Sequence, residues 1–589
     1  MPGAPTTFTI DTGRNIGAGL ENRAAVPPGI IPTTLAAIAK ALTGAYLSSN
    51  GNAFTTRTAN QILQEHFNPG IANTPGGPLF GTQFSQLACS DFNTIAAGVA
   101  TGGTGVNQAG GTLLTTPVPG GTNAGPHRSP LGFTPSSGGL PLYKNGVLAG
   151  GIGVMTTAIY SFDPNIFDVN IDNDEVIALA GQNGFTPPPD IQASNIAING
   201  ITFRYTDATP SNFATTPAAK GSFTQVAVPG YFAGPAAGHT AIAGLTFGDP
   251  ASGITPDGTI GPVLYPGTTF TSDVFTDGAG NVLYAPTNGL VPAGNAITAA
   301  EAQALMTSTL NVAYITRAGI RSPTNTFAQV TVTIVDLDGN VLAQARTPDA
   351  PVFGADVSRQ KARSAVFFSR TDAAAKILGI TAPSISTGPP NTITGSFADY
   401  INRSRTLIEP TVFSDGIAWS EVGVGDVARP FYPDGIDANG PGSLSVPFSR
   451  WSLFSTGLQL DLVAQDIVAE GVGGAPAPPQ GCAFIGIGGL PELPPVSGGK
   501  TQLANGLQIF SGGFPVYRGS TLVGGIGISG DGIQQDSMIS FLGLQNGPST
   551  LANAPAAIRD DQLAPLGIHL RYVNCPAAPF LNSNVQNPC

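Results

Sequence analysis

GGLPLYKNGVLAGGIGV at Gly138–Val154 returns as GGFPVYRGSTLVGGIGI at Gly512–Ile528, with no gap between the two. Gly138, Gly139, Pro141, Tyr143, Leu148, Gly150, Gly151, Ile152 and Gly153 recur as Gly512, Gly513, Pro515, Tyr517, Leu522, Gly524, Gly525, Ile526 and Gly527. A second signature follows each stretch. Gln182-Asn-Gly184 with Ile191, Ile196, Gly200, Ile201, Arg204 and Tyr205 returns as Gln545-Asn-Gly547 with Ile558, Leu563, Gly567, Ile568, Arg571 and Tyr572. Repetition over this length means that whole domains were copied.

Upstream of its hairpin stretch, the second copy contains Thr298-Ala-Ala-Glu301, a capping box that predicts a helix to about Thr316. Val330–Val335 and Asn340–Ala345 alternate as two strands around the turn Asp336-Leu-Asp-Gly339. The next segment, Pro348-Asp-Ala-Pro351 with Asp356 and Arg359, aligns with Pro2-Gly-Ala-Pro5, Asp11 and Arg14, allowing one residue of slippage. On that alignment copy one starts where copy two has already formed a helix and two strands. A sheet without its first two strands exposes unpaired backbone and an apolar face. Either the true start lies upstream of Met1, or another segment or chain supplies the strands.

Copy two thus runs strand, D-G-N turn, strand, then a helix carrying Ser358-Arg-Gln-Lys-Ala-Arg363, then GG-P-hydrophobic-Tyr-basic, then Gly524-Gly-Ile-Gly-Ile-Ser-Gly530 and Gln534-Gln-Asp536. This order resembles the GlcG/HbpS family of haem-binding or haem-degrading-like domains, most closely over about 298–380 and 505–545 and partially over about 1–25 and 130–182. Copy one departs at Met155-Thr-Thr157 and carries an insertion before Asp172-Asn-Asp-Glu175. The resemblance implies an α+β fold: two profilin-like or PAS-like domains in tandem, each an antiparallel sheet with helices packed on it. It implies haem or a related tetrapyrrole as the cofactor, for storage, transfer or slow degradation, and it is compatible with a homo-oligomer.

Composition fits a folded, loop-rich chain. Charged residues make up only 10% and hydrophobic residues 41% of 589, a balance opposite to that of disordered chains. The 78 glycines and 52 prolines exceed the usual ~12% of a globular chain, and the excess falls in long connections. A net charge of -12 with 24 Lys and Arg, and no basic run, argues against nucleic-acid partners. No run of about 18 apolar residues predicts a transmembrane segment.

The organisation reads as a first copy over 1–206 with an insertion at about 26–126, a Gly/Pro-rich connector over 207–295, a second copy over 296–573 with an insertion at about 381–500, and a tail over 574–589. The first insertion is expected to hold helices Thr33–Tyr46 and Arg57–Phe67 and a mobile Gly/Thr-rich loop, Gly98–Gly125; the second, a helix near Phe397–Leu407. Pro78–Ser85 and Val446–Ser452 hint that the insertions are related. The connector shows short β-like pieces such as Asn281–Tyr284. Cys575 and Cys589 bracket a polar tail that a disulfide would pin, which favours a periplasmic or extracellular location. Cys89 and Cys482 sit in apolar surroundings and read as buried small hydrophobes.

The repeated residues admit two readings. Gly138, Gly139, Gly512 and Gly513 let backbones approach closely, while Tyr143 and Tyr517 fill a half-buried face. Alternatively the glycines leave a slot for a flat apolar ligand, with Tyr143, Tyr517, Lys144 and Arg518 at its edge; a phenolate ligates ferric haem and basic groups meet propionates. His127, beside Arg128 just before the repeat, is a further ligand-contact candidate, whereas His66, His239 and His569 have no obvious role. Asp536 is expected to cap a helix or to hold a cation, and the Asp11–Arg14 and Asp356–Arg359 spacings to form helix-start pairs. There is no CxxCH, HExxH, P-loop or Ser-His-Asp order, so no catalytic constellation is defined. The chain reads as a binding protein for haem or a related tetrapyrrole; the competing reading is an interaction or scaffolding module that has lost its cofactor.

Overall fold

The computed structural model describes Thr7–Ile10, most of 31–79, most of 129–217, most of 251–436 and most of 495–589. Cys89, Cys482, His127, His239, the Gly98–Gly125 stretch and nearly all of Pro78–Ser85 and Val446–Ser452 lie outside the described residues. The architecture is mixed helix and antiparallel sheet. The helices are α1 (Thr33–Tyr46), α2 (Thr56–Ile62), α3 (Asn173–Gly181), α4 (Ala299–Ile315), α5 (Gly354–Phe368), α6 (Ala373–Leu378), α7 (Ala398–Leu407), α8 (Glu421–Ala428) and α9 (Ile533–Gln545).

The repeated stretches form two hairpins, β1 (Gly139–Lys144) with β2 (Val147–Gly153), and β7 (Gly513–Arg518) with β8 (Thr521–Ser529). Their registers match, with Gly139 opposite Gly153 and Gly513 opposite Gly527, and both slip by one residue just before the tyrosine. In copy two the hairpin belongs to a six-stranded sheet of order β7-β8-β5-β6-β4-β3, where β5 is Thr331–Asp336 and β6 Val341–Arg346. The outer strands β3 (Ile254–Asp257) and β4 (Ser272–Phe275) come from the connector. The connector therefore supplies sheet edge as well as linkage. Its expected piece Asn281–Tyr284 contributes only a bridge from Val282 to Thr276.

Helix α4 starts as its sequence requires. Thr298 and Glu301 complete the capping box, and Glu301 also meets the Arg518 guanidinium at 2.6 Å and Thr550. Arg518 thereby ties the sheet edge to the helix start and holds the Glu301 carboxyl well below the usual carboxylate range. Thr298→Ala is expected to destabilise this repeat by about 1 kcal/mol, read as a lower urea midpoint at an unchanged slope.

The structure moves the copy-one counterpart of α5. That role falls to α1, while Asp11 and Arg14 lie outside the described residues: Lys40 and Lys361 make the same buried bonds, and the carbonyls of Ala37 and Ser358 lie against Gly153 and Gly527. Helix α1 spans the residues expected of it, yet it belongs to the repeat and not to an insertion. Helices α2 and α8 are a further repeated pair, for Gly139 abuts Thr56 where Gly513 abuts Glu421. Gln61 and Asp426 likewise accept the backbone N–H of Arg204 and Arg571. Helix α2 ends at Ile62, short of the expected Phe67, because Leu63 already leaves helical geometry as its C-cap.

One apolar core lies between the six-stranded sheet and helices α4 and α9, containing Leu305, Val332, Ile334, Phe514, Ile526 and Ile539. A second gathers α1, α5, α6, α7 and α8 around Trp419. A third, in copy one, crosses to Phe353, Val357 and Phe510 of copy two. Polar contacts reinforce that crossing. Arg321 meets Asp349 at 2.5 Å and Asp531 at 2.8 Å, while Asp349 accepts from Ser49 Oγ and the Asn50 N–H of copy one.

Candidate functional site

A cavity of about 270 Å³ lies where the repeats meet. Copy one contributes Phe67, Gly77, Ala197 and Ile198; copy two contributes residues from α8, Ile509–Ser511, the start of α9, Arg571 and Asn574. Sequence order brings these together through the repeat itself: Gly525 and Gly527 of β8 let α5 close on the strand, and the turn Gly530–Gly532 delivers Gln534 and Gln535 to the cavity wall.

Glu421 is the unusual member. It opens α8, is 0% exposed, and neither carboxyl oxygen has a hydrogen-bond partner. Burial raises its affinity for a proton well above the ordinary carboxylate range; the Lys361 ammonium opposes that rise and the Asp560 carboxyl adds to it. Asp560, also fully buried, accepts from the Ser420 N–H at 2.8 Å, and burial likewise pushes its carboxyl well up. Elsewhere on the wall charges are matched. Arg571 pairs with Asp426, and behind the wall Lys361 donates to Asp536 at 2.9 Å and to the Ile528 carbonyl at 2.8 Å. The Lys361 ammonium also sits 4.3 Å from the Phe510 ring.

The residues singled out from sequence lie elsewhere. Tyr143 is 1% exposed and its hydroxyl donates to the carbonyls of Ser49 at 2.5 Å and Asn52 at 3.0 Å. Tyr517, 2% exposed, packs in the core of the six-stranded sheet. Burial raises both phenols far above their ordinary range. Lys144 is exposed at the hairpin end and Arg518 is engaged with Glu301. Gly138 and Gly512 have positive φ and sit against Asp174 and Asp536, so the paired glycines admit side chains of their own repeat. Asp536 lies in the first turn of α9 as the partner of Lys361. Asp356 accepts from Asn505, while Arg359 reaches Gln344 and lies 4.2 Å from the Tyr284 ring.

These positions do not suit haem. A haem iron takes an axial donor from His, Cys, Met or Tyr, and among the described residues none of these lines the cavity. The nearest in sequence is His66, whose ring nitrogens lie 3.2 Å from Asp434 and 2.8 Å from the Thr74 carbonyl. Among the described residues no group of three or more His, Cys, Asp or Glu is placed to hold a metal ion.

Glu421 escaped sequence reasoning because its burial is a tertiary property. The one local signal is a lone carboxylate inside the apolar run Ile417-Ala-Trp-Ser-Glu-Val-Gly-Val424. The Cys575–Cys589 disulfide is present, with Cα atoms 6.2 Å apart. Among the described residues no helix is long and apolar enough to cross a membrane.

No family model matches the chain, and no curated protein does either. Among solved structures, a PduOC:heme complex is 14% identical and aligns over 44% of this chain and 99% of its own, with a TM-score of 0.18. The Klebsiella pneumoniae protein ORFY, described with the family model DUF336, is 18% identical over 42% of this chain and 89% of its own, with a TM-score of 0.20. Neither likeness is close enough to bear on fold or ligand.

Proposed function

We propose that this chain is a small-molecule-binding protein whose ligand sits in the cavity between the repeats. One observation carries the reading: residues of both repeats close a single cavity whose wall sets Gln534, Gln535, Asn574 and Arg571 among apolar side chains. The surrounding wall is of the kind that binds ligands, apolar from Phe67, Ile198, Phe510 and Ile533 with a few convergent polar groups.

Haem or a related tetrapyrrole is the ligand class that the sequence resemblance supplies. The cavity favours something smaller: about 270 Å³ falls just under the ~300 Å³ at which pockets for drug-sized ligands begin. The tail disulfide supports residence in an oxidising compartment, periplasmic or extracellular.

A hemin titration followed in the Soret region, beside a thermal-shift screen of small molecules, tests both parts. The expected result is a featureless, non-saturating hemin response together with saturable stabilisation by compounds small enough for the cavity. A defined hemin stoichiometry that is lost in Tyr143→Phe or Tyr517→Phe would restore the tetrapyrrole reading. Absence of any saturable ligand would leave the interaction module as the better account.

A further inference from the structure

Given that the cavity is the binding site, copy one shows what covers the same wall. Helices α2 and α8 run in step, since Thr55 Oγ1 and Ser420 Oγ accept the N–H groups of Thr58 and Gly423. The segments closing each repeat match too: the Asp207 N–H donates to Glu175 where the Asn574 N–H donates to Ser537. Val422, Gly425, Asp426, Arg571 and Asn574 of the cavity wall therefore stand where copy one has Arg57, Asn60, Gln61, Arg204 and Asp207. Four of those five copy-one residues hold the segment Asp163–Asn170. Asn60 donates to the Asp163 carbonyl at 2.9 Å, and Arg57 to the Asp163 carboxyl at 3.2 Å and the Asn170 carbonyl at 2.9 Å. Arg204 donates to the carbonyls of Ile166 at 2.7 Å and Asp168 at 2.5 Å, and Asp207 accepts the Asn170 N–H at 2.9 Å. Ile166 is buried, whereas Phe167, Asp168 and Val169 face solvent.

That segment belongs to the long connection between β2, which ends at Gly153, and α3, which starts at Asn173. In copy two the same connection is only Gly530–Gly532, so it has no counterpart of Asp163–Asn170. We propose that the cavity takes a short extended peptide in the way that copy one takes its own Ile166–Asn170. Arg571 donates to two backbone carbonyls of the peptide while staying paired with Asp426, as Arg204 stays paired with Asp207. Asn574 turns its Nδ2 to Ser511 Oγ at 3.1 Å, which leaves its side-chain carbonyl to accept a backbone N–H. An aliphatic side chain of the peptide enters the apolar part of the cavity beside Ile198, Phe510 and Ile533. Val422 sets the specificity: where Arg57 meets the Asp163 carboxyl, copy two offers no cation, so it prefers an apolar residue at that position of the peptide.

Calorimetric titration of the full chain with three blocked peptides tests this. The first is acetyl-Leu-Pro-Asn-Ile-Phe-Asp-Val-Asn-amide, the Asp163–Asn170 sequence with leucine in first place. The second restores aspartate in first place, and the third has serine for the isoleucine of the first. The leucine peptide is expected to bind saturably. The serine peptide should bind about tenfold more weakly or worse, having lost its buried side chain, and the aspartate peptide about tenfold more weakly, its carboxylate unpaired. Val422→Arg should reverse the order of the leucine and aspartate peptides, which a merely structural role would not do. Arg571→Met made together with Asp426→Leu, so that no charge is stranded, should lose about tenfold on the leucine peptide. Thermal melts check that both variants fold, and the three peptides against the unaltered chain decide the matter without either. Equal affinity for the isoleucine and serine peptides, or full affinity in the double variant, would overturn the peptide reading. If the peptides fail while a compound from the small-molecule screen binds, the peptide reading falls and the cavity stands. If peptides and screen are both blank, both readings fall.

Discussion

Lys361→Met is expected to destabilise the second repeat by about 3–5 kcal/mol, the usual loss when one member of a buried ion pair is removed and its partner charge is stranded. Lys361 and Asp536 are 0% and 1% exposed, and the ammonium also satisfies the Ile528 carbonyl at the end of the glycine strand. Burial pushes the Asp536 carboxyl up to about 6, with Lys361 holding it back from rising further. The sign of the pH dependence follows. Between the ordinary aspartate value and about 6 the native state binds a proton that the unfolded state does not, so stability falls as pH rises through that window. Without Lys361 the carboxyl rises further and the fall extends to higher pH. The defect should therefore be large at pH 8 and smaller at pH 5, where a neutral Asp536 no longer needs a cation. Denaturant unfolding followed by tryptophan fluorescence reads this out through Trp419, buried in the adjoining core. An equal defect at both pH values would mean that Lys361 acts through packing alone. Replacing both partners by apolar residues, Lys361→Met with Asp536→Leu, should recover most of the loss.

Copy one offers an internal comparison. Lys40 and Asp174 repeat the pair at 2.8 Å, but Asp174 also accepts from the Thr156 N–H at 2.7 Å and from its hydroxyl at 2.5 Å. Asp174 keeps those partners when Lys40 is lost. Lys40→Met should therefore cost less than Lys361→Met, and the difference measures how much of the larger loss is a stranded charge.

This pair also shows where sequence stopped being legible. The hairpins could be read because their strands, turns and paired glycines are local and fall at constant spacing. Helices Thr33–Tyr46 and Ala299–Ile315 were readable for the same reason, from periodicity and a cap. That α1 and α5 are the same helix was not readable. The runs Ala37-Ile-Ala-Lys-Ala41 and Ser358-Arg-Gln-Lys-Ala362 share only lysine and alanine, and the distance from helix to hairpin differs between the copies. What is held in common is a small surface and one buried cation, a constraint set by the strand on the far side. The cavity was hidden further, since its walls come from both copies and its unpartnered Glu421 lies in a segment that composition alone marks as insertion. The connector strands β3 and β4 were lost among glycine and proline, whose local signal is turn.

The glycines supply the second large effect. Gly527→Ala is expected to destabilise by about 1–3 kcal/mol or more, because overpacking forces rigid groups apart. A Cβ at Gly527 would overlap the Ser358 carbonyl and sit 2.6 Å from the Ala362 nitrogen, both backbone atoms of α5. Neither can rotate away, so the helix itself must lift. Gly153→Ala in copy one should behave alike, since its Cβ would overlap the Ala37 carbonyl and lie 2.5 Å from the Ala41 nitrogen of α1. Gly150, three residues earlier on the same strand, is the control: a Cβ there meets nothing within 4 Å, and Gly150→Ala should change stability by no more than about 0.5 kcal/mol. Urea midpoints of the three variants separate two meanings of the repeated motif. If the glycines existed to leave a slot for a flat ligand, Gly153→Ala and Gly527→Ala would be tolerated in the free protein and would weaken only binding. If they exist to let a helix lie directly on the strand, both variants lose stability with no ligand present, and Gly150→Ala does not. The backbone carbonyls lying against Gly153 and Gly527 predict the second result.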